Sequence, residues 1–331
     1  MSGERALRGS VLTVTRRYAA GIDVSEEAVR LAVVSRRLRA NGPVCVEHLE
    51  CVPLEAGAVI GGDFIDRAAI AAALREAFGR LPMRPAWRAL RCAMGLPASA
   101  TLTTQVPLAG LIQARRGEPG PRDPRGLLEP AVLAEAERAA GIERGALAVD
   151  WSVEARDDGL AQVSIAATAR QHVESRVETA AAAGISLSAI DGEPAAALRA
   201  MRHAGTIELG ARERYIACWL ERAGLHGWLV GEEGVENELR YPAPEYANLT
   251  DALRDLAGEI APPDWILLGG DLDLLERAGL PVDALPALLR CPVMPFECAP
   301  FCNGASPADG ALRHSPLFAV AFGLALREVM Q

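Results

Sequence analysis

The sequence predicts a mixed α/β fold with two lobes and an α+β subdomain inserted into the first lobe. A strand–turn–strand pattern occurs twice, at 18–34 and at 215–230, which places one hairpin near the start of each lobe. Between the hairpins, residues 95–184 carry a separate run of strand, helix, two strands and helix. A chain of 331 residues with 50% hydrophobic content is also long enough to bury more than one core.

The first lobe is predicted from the segment YAAGIDVSEEAVRLAVV at 18–34, where apolar and β-branched residues alternate on both sides of the turn GIDVS. The periodicities of strands and of amphipathic helices predict its other elements. These are strands at 44–52, 89–95 and 185–190 and helices at 64–78 and 195–201. Asp191 and Glu193 lie just before the last helix, where a carboxylate favours the helix dipole; a catalytic carboxylate pair is the alternative.

The inserted subdomain is predicted as a compact α+β unit. Its elements are a strand in TLTTQVPL at 101–108, helices at 127–140 and 170–183, and strands at 148–155 and 162–169. Gly184 stands where a helix C-cap is expected. The Pro/Gly-rich stretch at 117–126 predicts a loop. We expect the nearby arginines to be solvated, with contact to an acidic partner as the alternative; they are Arg115, Arg116, Arg122 and Arg125.

The second lobe begins with the hairpin at 215–230, which aligns weakly with the first hairpin and puts Leu220 at the place of Asp23. A helix at 248–260, a strand at 265–268 and a Gly-Gly-Asp turn that leads into a helix follow. The apolar helix at 317–330 is expected to be buried between the lobes. The predicted boundaries are 18–94 and 185–205 for the first lobe, 95–184 for the inserted subdomain, 206–315 for a reduced second lobe and 316–331 for a C-terminal helix returning to the first lobe.

Composition excludes several classes of function. The net charge of −9 argues against a nucleic-acid partner and against direct binding to an anionic membrane. All basic residues are arginine, which excludes a P-loop lysine and a Schiff-base mechanism. The seven cysteines are scattered and odd in number, as is typical of reduced thiols in the cytosol. The spacing of Cys291, Cys298 and Cys302 with His314 matches no standard zinc site, so we predict no metal site.

A cytoplasmic location is expected for two reasons. The N-terminal 18 residues lack the apolar stretch of a signal peptide. The apolar run at 317–326 is about half as long as a membrane span requires. Any association with a membrane is therefore expected to occur through a partner.

The turn of the first hairpin contains the residue types of a phosphate-binding loop. Backbone amides around Gly21 and Val24 can bind phosphate oxygens, Asp23 can hold a metal-bound water, and Ser25 can donate a hydrogen bond. The alternative is an ordinary turn, because Asp and Ser also favour turns through local hydrogen bonds to the backbone.

Five segments that follow one another along the chain resemble the type IV pilus assembly protein PilM family. They are GIDVSEEAVRLAVV, MGLPASATLTTQVPL, AAAGISLSAIDGEPAAALRA, ILLGGDLDLL and FAVAFGLALREV. This family is actin-like, is related to the division protein FtsA and carries a subdomain inserted into its first lobe. The resemblance covers the chain from end to end. It implies an actin-like (ribonuclease H-like) two-lobed fold.

The resemblance also implies a nucleotide site, formed here by Gly21, Asp23, Val24 and Ser25 for the phosphates and by Gly269 and Gly270 for the adenosine. Three departures from the family indicate that this site is degenerate. Asp271 follows the double glycine, where relatives usually keep a small residue. The second phosphate loop has Leu220 where a carboxylate would position magnesium or water. The segment between Gly234 and Asn248 lacks the helical element that supplies ribose ligands in relatives. We therefore expect no catalytic residues, and neither ATP nor Mg²⁺ as a resident cofactor.

The function implied by the resemblance is that of a cytoplasmic platform. It would bind the N-terminal tail of a PilN-like membrane protein and couple it to the inner-membrane alignment complex of a type IV pilus. Leu96, Thr101 and Val106 are the candidate residues for binding this extended peptide. Two alternatives stay open: an active actin-fold ATPase or kinase, and a cytoplasmic domain of the GspL type from type II secretion, which in those proteins continues into a membrane span.

Overall fold

The computed structural model describes residues 16–37, 42–82, 90–113, 124–155, 161–209, 213–242, 249–258, 263–302 and 309–331. The strands are β1 (Arg16–Val24), β2 (Ala28–Arg37), β3 (Val44–Pro53), β4 (Val59–Ile60), β5 (Asp63–Phe64), β6 (Arg91–Leu96), β7 (Leu102–Pro107), β8 (Leu147–Ala155), β9 (Ala161–Ala169), β10 (Leu187–Gly192), β11 (Tyr215–Glu221), β12 (Gly224–Gly231), β13 (Gly234–Pro242), β14 (Trp265–Gly270) and β15 (Val293–Pro295). The helices are α1 (Arg67–Gly79), α2 (Leu108–Gln113), α3 (Pro124–Ala140), α4 (Arg170–Ala182), α5 (Glu193–Glu208), α6 (Leu249–Ala257), α7 (Asp273–Arg277), α8 (Leu285–Leu289), α9 (Asp309–Leu312) and α10 (Ala319–Met330).

Each lobe is built on a five-stranded sheet of the same topology. The strand order is β3-β2-β1-β6-β10 in the first lobe and β13-β12-β11-β14-β15 in the second. In both sheets, neighbours among the first three strands of this order are antiparallel. The last two strands run parallel to the central strand, which is β1 in the first lobe and β11 in the second. The prediction of two lobes with one hairpin at the start of each is confirmed.

The first hairpin forms because two apolar strands meet in a tight register around a polar turn. Val24 pairs with Val29, and Asp23 pairs with Arg30 directly across the sheet. Both strands are buried over most of their length, since helices cover the two faces of this sheet. The turn between them therefore projects from a rigid base toward the second lobe.

The short elements β4, β5, β15, α2, α8 and α9 were not predicted, and three longer elements also differ from the sequence prediction. Helix α1 begins at Arg67 rather than at 64, because the side chain of Asp66 accepts a hydrogen bond from the amide of Ala69 at 2.9 Å and caps the helix. Ile65, predicted to lie on the buried stripe of this helix, is consequently 60% exposed. Helix α5 extends to Glu208, well beyond the predicted end at 201. A strand that was not predicted, β13, occupies 234–242 and completes the second sheet.

The inserted subdomain is a three-stranded antiparallel sheet in the order β7-β9-β8, covered on one face by α2 and α3. Its predicted strands and helices are confirmed. Most of the predicted loop at 117–126 lies outside the described residues, as do Arg115, Arg116 and Arg122. The side chain of Arg125 is not described either.

Two helices connect the lobes. Helix α10 packs on β1, β2 and β6 of the first sheet, and α5 packs on α10, β11 and β14. Glycine allows this close packing, since a Cβ on Gly323 would lie 1.8 Å from the carbonyl oxygen of Ala196. The predicted burial of the last helix is confirmed, because ten of its twelve residues are buried. Among the described residues, no helix is long and apolar enough to cross a membrane.

Candidate functional site

The two hairpin turns face each other across a cleft between the lobes. A cavity of about 200 Å³ lies there, and its walls come from both lobes. The first lobe supplies the turn after β1, the Gly61–Gly62 turn between β4 and β5, and Glu193 at the start of α5. The second lobe supplies the end of β11, the turn that follows it, and Gly270 with Asp271 after β14.

The first turn is closed by its own side chains. The hydroxyl of Ser25 accepts hydrogen bonds from the amides of Glu27 and Ala28 at 3.3 and 3.2 Å. The guanidinium of Arg30 donates to Oδ2 of Asp23 at 3.1 Å and to the hydroxyl of Ser25 at 3.2 Å. Both side chains of the Asp23–Arg30 pair are buried. The carboxylate and hydroxyl proposed for a phosphate loop are thus already bound to an arginine of the same hairpin.

Ion pairs join the two turns across the mouth of the cleft. Arg222, in the turn between β11 and β12, contacts Oε2 of Glu26 at 3.0 Å and Oε1 of Glu27 at 2.5 Å. Glu26 also accepts a hydrogen bond from the amide of Gly61 at 2.9 Å, which attaches the β4–β5 turn to the same network. We call Glu26, Glu27 and Arg222 the clasp. Its side chains lie at the surface, with Arg222 62% exposed.

Beneath the clasp lies Glu193, which was predicted to favour the dipole of the following helix, with a catalytic pair with Asp191 as the alternative. Glu193 is only 6% exposed, and its side chain has no hydrogen bond or ion pair with any described residue. Burial raises the pKa of Glu193 well above its ordinary value, and the nearby carboxylates of Asp23 and Glu221 raise it further. Burial also raises the pKa of Asp23, although the guanidinium of Arg30 opposes this shift.

Glu221, at the end of β11, brings a carboxylate from the second lobe into the cleft. Its Oε1 lies 3.4 Å from Nε2 of His226 and has no hydrogen-bond partner among the described residues. Leu220 is turned the other way and packs in the core of the second lobe. The lobe therefore contributes an acidic side chain one position later in the sequence than the aligned aspartate.

A buried arginine behind Glu193 fixes the backbone of this region. Arg176 donates to the carbonyl oxygens of Gly95 and Gly62 at 2.8 and 3.0 Å and lies 4.5 Å from the ring centre of Phe64. Burial lowers the pKa of its guanidinium to about 10, so it stays charged at neutral pH. The side chain of Glu193 lies directly against Gly95, where an added Cβ would be 2.9 Å from its Cγ.

The structure brings four of the six predicted nucleotide-binding residues to the cavity and places two elsewhere. Asp23, Val24, Ser25 and Gly270 line it. Gly21 faces helix α10, and a Cβ there would lie 1.9 Å from the carbonyl oxygen of Ala321. Gly269 packs against Ala319 and Met201. Nucleotide binding by these residues stays a prediction.

Two signals in the sequence could have identified the missed residues. The register of a tight hairpin makes Asp23 and Arg30 cross-strand neighbours, which predicts their ion pair. Glu193 begins α5 next to Pro194, so its position in the first turn of the helix was foreseeable. Its burial was not, because it depends on segments far away in the sequence, such as β6, where Gly95 lies against the side chain of Glu193.

A second cavity, of about 180 Å³, lies between the inserted subdomain, the start of α5 and the second lobe; we call it the groove. Thr101 and Thr103 line one side, and Trp228 and Arg240 line the other. The rings of Trp219, His226 and Trp228 stack behind it, with centroid distances of 5.4 and 6.0 Å. Among the described strands β7 pairs only with β9, so one edge of β7 is free for pairing.

Only one of the three residues predicted for the partner lies in the groove. Thr101 lines it, and its hydroxyl donates to the carbonyl of Pro97 at 3.0 Å. Leu96 is buried at the end of β6, and Val106 packs against the core of the subdomain. No group of three or more His, Cys, Asp or Glu side chains in the described part of the chain is arranged to hold a metal ion.

Comparisons with known proteins agree with this architecture. The family described as "Type IV pilus assembly protein PilM" matches residues 21–217. The structure of a PilM-PilN type IV pilus biogenesis complex aligns with 94% of this chain and 98% of that chain, at 20% identity and a TM-score of 0.71. The cytoplasmic domain of EpsL, an inner-membrane component of the type II secretion system of Vibrio cholerae, aligns with 76% of this chain and 81% of that one, at 10% identity and a TM-score of 0.43. The comparison with curated proteins finds no match.

Proposed function

Because the chain belongs to the PilM family of type IV pilus assembly proteins and has the actin-like fold, we propose that it is an adaptor that binds the N-terminal tail of a PilN-like protein. The solved relative is a complex of PilM with PilN, which supports a partner of this class. Through that tail, the adaptor would be held at the inner membrane and coupled to the alignment complex of the pilus.

The groove is the observation that carries this proposal. Its walls combine the aromatic side chain of Trp228 with the polar side chains of Thr103 and Arg240, and the free edge of β7 belongs to one of these walls. An extended peptide can pair its backbone with such an edge while its side chains enter the neighbouring cavity. Thr101 then contacts the peptide directly, whereas Leu96 and Val106 shape the strand ends from the interior.

Calorimetric titration with a synthetic peptide of the PilN N-terminus encoded in the same genome tests the proposal. Thr103→Arg places a bulky charge on the exposed groove face of β7 and should weaken binding at least tenfold. Gln105→Arg makes the same change two residues further along the same exposed face, outside the groove, and serves as the matched control. Equal affinity of the two variants, or no binding by the parent protein, would rule out this groove.

We further propose that the cleft is a degenerate nucleotide site. Three features speak against a nucleoside triphosphate: Arg30 already binds Asp23 and Ser25, the clasp spans the entrance, and Glu193 and Glu221 would face the phosphates. Phosphates would meet like charge there, with few positive groups left to compensate. Titration with Mg-ATP should show no saturable binding, and a micromolar affinity that Asp23→Ala abolishes would contradict this proposal.

A further inference from the structure

We propose that the cleft between the lobes binds a small linear organic cation, such as an aliphatic diamine or a guanidino-amine, between Glu193 and Glu221. This inference goes beyond the adaptor function and does not depend on it. It follows from which charged groups around the cavity have partners, from the sign of those that do not, and from the charge at the entrance.

Most charged side chains that line the cavity already have partners. Asp23 pairs with Arg30, the two glutamates of the clasp pair with Arg222, and Asp271 pairs with Arg277 at 3.1 Å. Two carboxyl groups have few partners or none. Glu193 has no polar partner among the described residues, and Glu221 has only the imidazole of His226, whose Nε2 lies 3.4 Å from its Oε1 without forming a hydrogen bond. Buried polar groups are almost always hydrogen-bonded, so a buried carboxyl group without a partner beside a cavity indicates a missing ligand.

The sign of the unpaired groups selects the ligand. An ammonium or guanidinium group donates hydrogen bonds to carboxylates and neutralises them, whereas an anion would be repelled. The carboxyl groups are not grouped as ligands for one metal ion. An elongated molecule with a positive group at one or both ends fits them better, and the cavity of about 200 Å³ has room for a small one.

The entrance favours the approach of a cation. Glu26 and Glu27 lie at the mouth with a single arginine between them. Carboxyl groups outnumber arginines around the cavity, and a cleft with an excess of one charge concentrates the opposite ion, so the mouth would draw amines inward. An incoming ammonium group would exchange with the exposed guanidinium of Arg222, whose contacts with both glutamates are close to solvent.

Binding of a cation should release a proton. The groups that face Glu193 are Asp23 on β1, Arg30 on β2, Arg176 on α4 and Glu221 on β11. Burial and the two carboxylates hold the pKa of Glu193 well above its ordinary value. A positive charge beside it lowers that pKa, so the carboxyl group gives up its proton when the cation arrives. Affinity should accordingly increase as the pH rises.

Calorimetric titration with putrescine and with agmatine, at constant ionic strength and pH 7.5, tests the inference. We expect saturable binding of one ligand per chain and a heat that differs between two buffers according to their ionisation enthalpies, which reports the released proton. The double variant Glu193→Gln/Glu221→Gln should weaken binding at least tenfold. Glu232→Gln/Glu233→Gln removes the same charge from the exposed turn between β12 and β13 and should bind like the parent.

Several outcomes would overturn the inference. Equal loss in the control variant would show diffuse attraction to a chain of net charge −9. Mg²⁺ alone, at matched ionic strength, binding with the same loss in the double variant would show a metal site instead. Absence of saturable amine binding would exclude the site while leaving the peptide titration unaffected. If the double variant does not fold, Glu221→Gln alone replaces it, because that side chain is partly exposed.

Discussion

At the scale of single residues, the cleft is dominated by the state of Glu193. A carboxyl group that is buried without a partner favours its protonated form, because its charged form would lose water and gain no hydrogen bond. Glu193 therefore makes the folded protein less stable as the solution becomes more basic.

The pH dependence of stability tests this account. The folded pKa of Glu193 is raised above its unfolded value of about 4.3. Its contribution to stability is then present below that value and is lost as the pH rises through the folded pKa, because the unfolded chain has already released the proton. Glu193→Gln should be more stable than the parent at pH 8, because glutamine has no carboxyl group to ionise in the buried site.

Urea denaturation at pH 5 and pH 8 measures this difference. The gain of the glutamine variant should shrink toward pH 5, while a residual slope should persist because the pKa of Asp23 is also raised. A gain that is equal at both pH values would mean that packing, and not protonation, sets the effect.

Gly21 gives a second test at the residue scale, because the space beside its Cα is occupied by helix α10. Gly21→Ala puts a methyl group 1.9 Å from a backbone oxygen and should lower the free energy of unfolding by about 2 kcal/mol or more. Gly79→Ala, where nothing lies within 4 Å, should change it by less than about 1 kcal/mol. Equal effects in urea denaturation would show that Gly21 is not a packing residue.

At the scale of elements, helix α4 packs against both the inserted subdomain and the first lobe, and one of its side chains binds two separate segments. Arg176 donates to the carbonyls of Gly62 and Gly95, which belong to the β4–β5 turn and to β6. The β4–β5 turn lines the cavity, and Gly95 lies against the side chain of Glu193. Through this buried arginine, α4 holds the backbone around the cleft in place, in addition to linking the inserted subdomain to the first lobe.

Replacing this arginine should destabilise the protein more than replacing an exposed one. Arg176→Met leaves two buried carbonyl oxygens without donors and should cost about 3 kcal/mol in urea denaturation. Arg138→Met removes an exposed pair with Glu135 and should cost less than about 1 kcal/mol. Arg176→Lys should restore little of the lost stability, because lysine lacks the planar, forked guanidinium that donates to both carbonyl oxygens at once. Full rescue by lysine would point to charge alone.

Strong periodicity made most elements predictable, and tertiary contacts account for the errors. The hairpins 18–34 and 215–230 alternate over long apolar runs, so their strands were found. Strand β13 was missed because its sequence, GVENELRYP, is mostly exposed and polar; it is a strand only because β12 offers a partner. At the site, the turn residues were foreseeable from residue type. The carboxyls of Glu193 and Glu221 were not, since segments far apart in the sequence bring them together.

At the scale of the whole molecule, the clasp decides how far the two lobes stay closed. Its ion pairs are largely exposed, so they add little stability and are weakened by salt. The helices α5 and α10 hold the lobes together at the base of the cleft, whereas the clasp acts at the mouth. Opening of the mouth therefore needs few broken contacts.

Arg222→Ala tests whether the clasp keeps the mouth of the cleft closed while adding little to the stability of the fold. We expect the free energy of unfolding to fall by less than about 1 kcal/mol, because surface ion pairs contribute little. Amide hydrogen exchange should nevertheless become faster in the turns at 25–27 and 61–62, which the clasp and Glu26 hold in place. Exchange rates unchanged from the parent would show that the mouth is kept closed by other contacts. Arg254→Ala, on an exposed helix with a local pair, is the control.

The packing of α10 has a consequence for how the chain is made. This helix covers the face of β1, a strand synthesised some three hundred residues earlier. The first lobe therefore leaves the ribosome with one apolar face of its sheet bare, and it stays bare until residues 319–330 have emerged. Such delayed long-range contacts slow folding and leave nascent chains open to aggregation. Ribosome-bound intermediates of this protein should depend on chaperones until the last helix arrives.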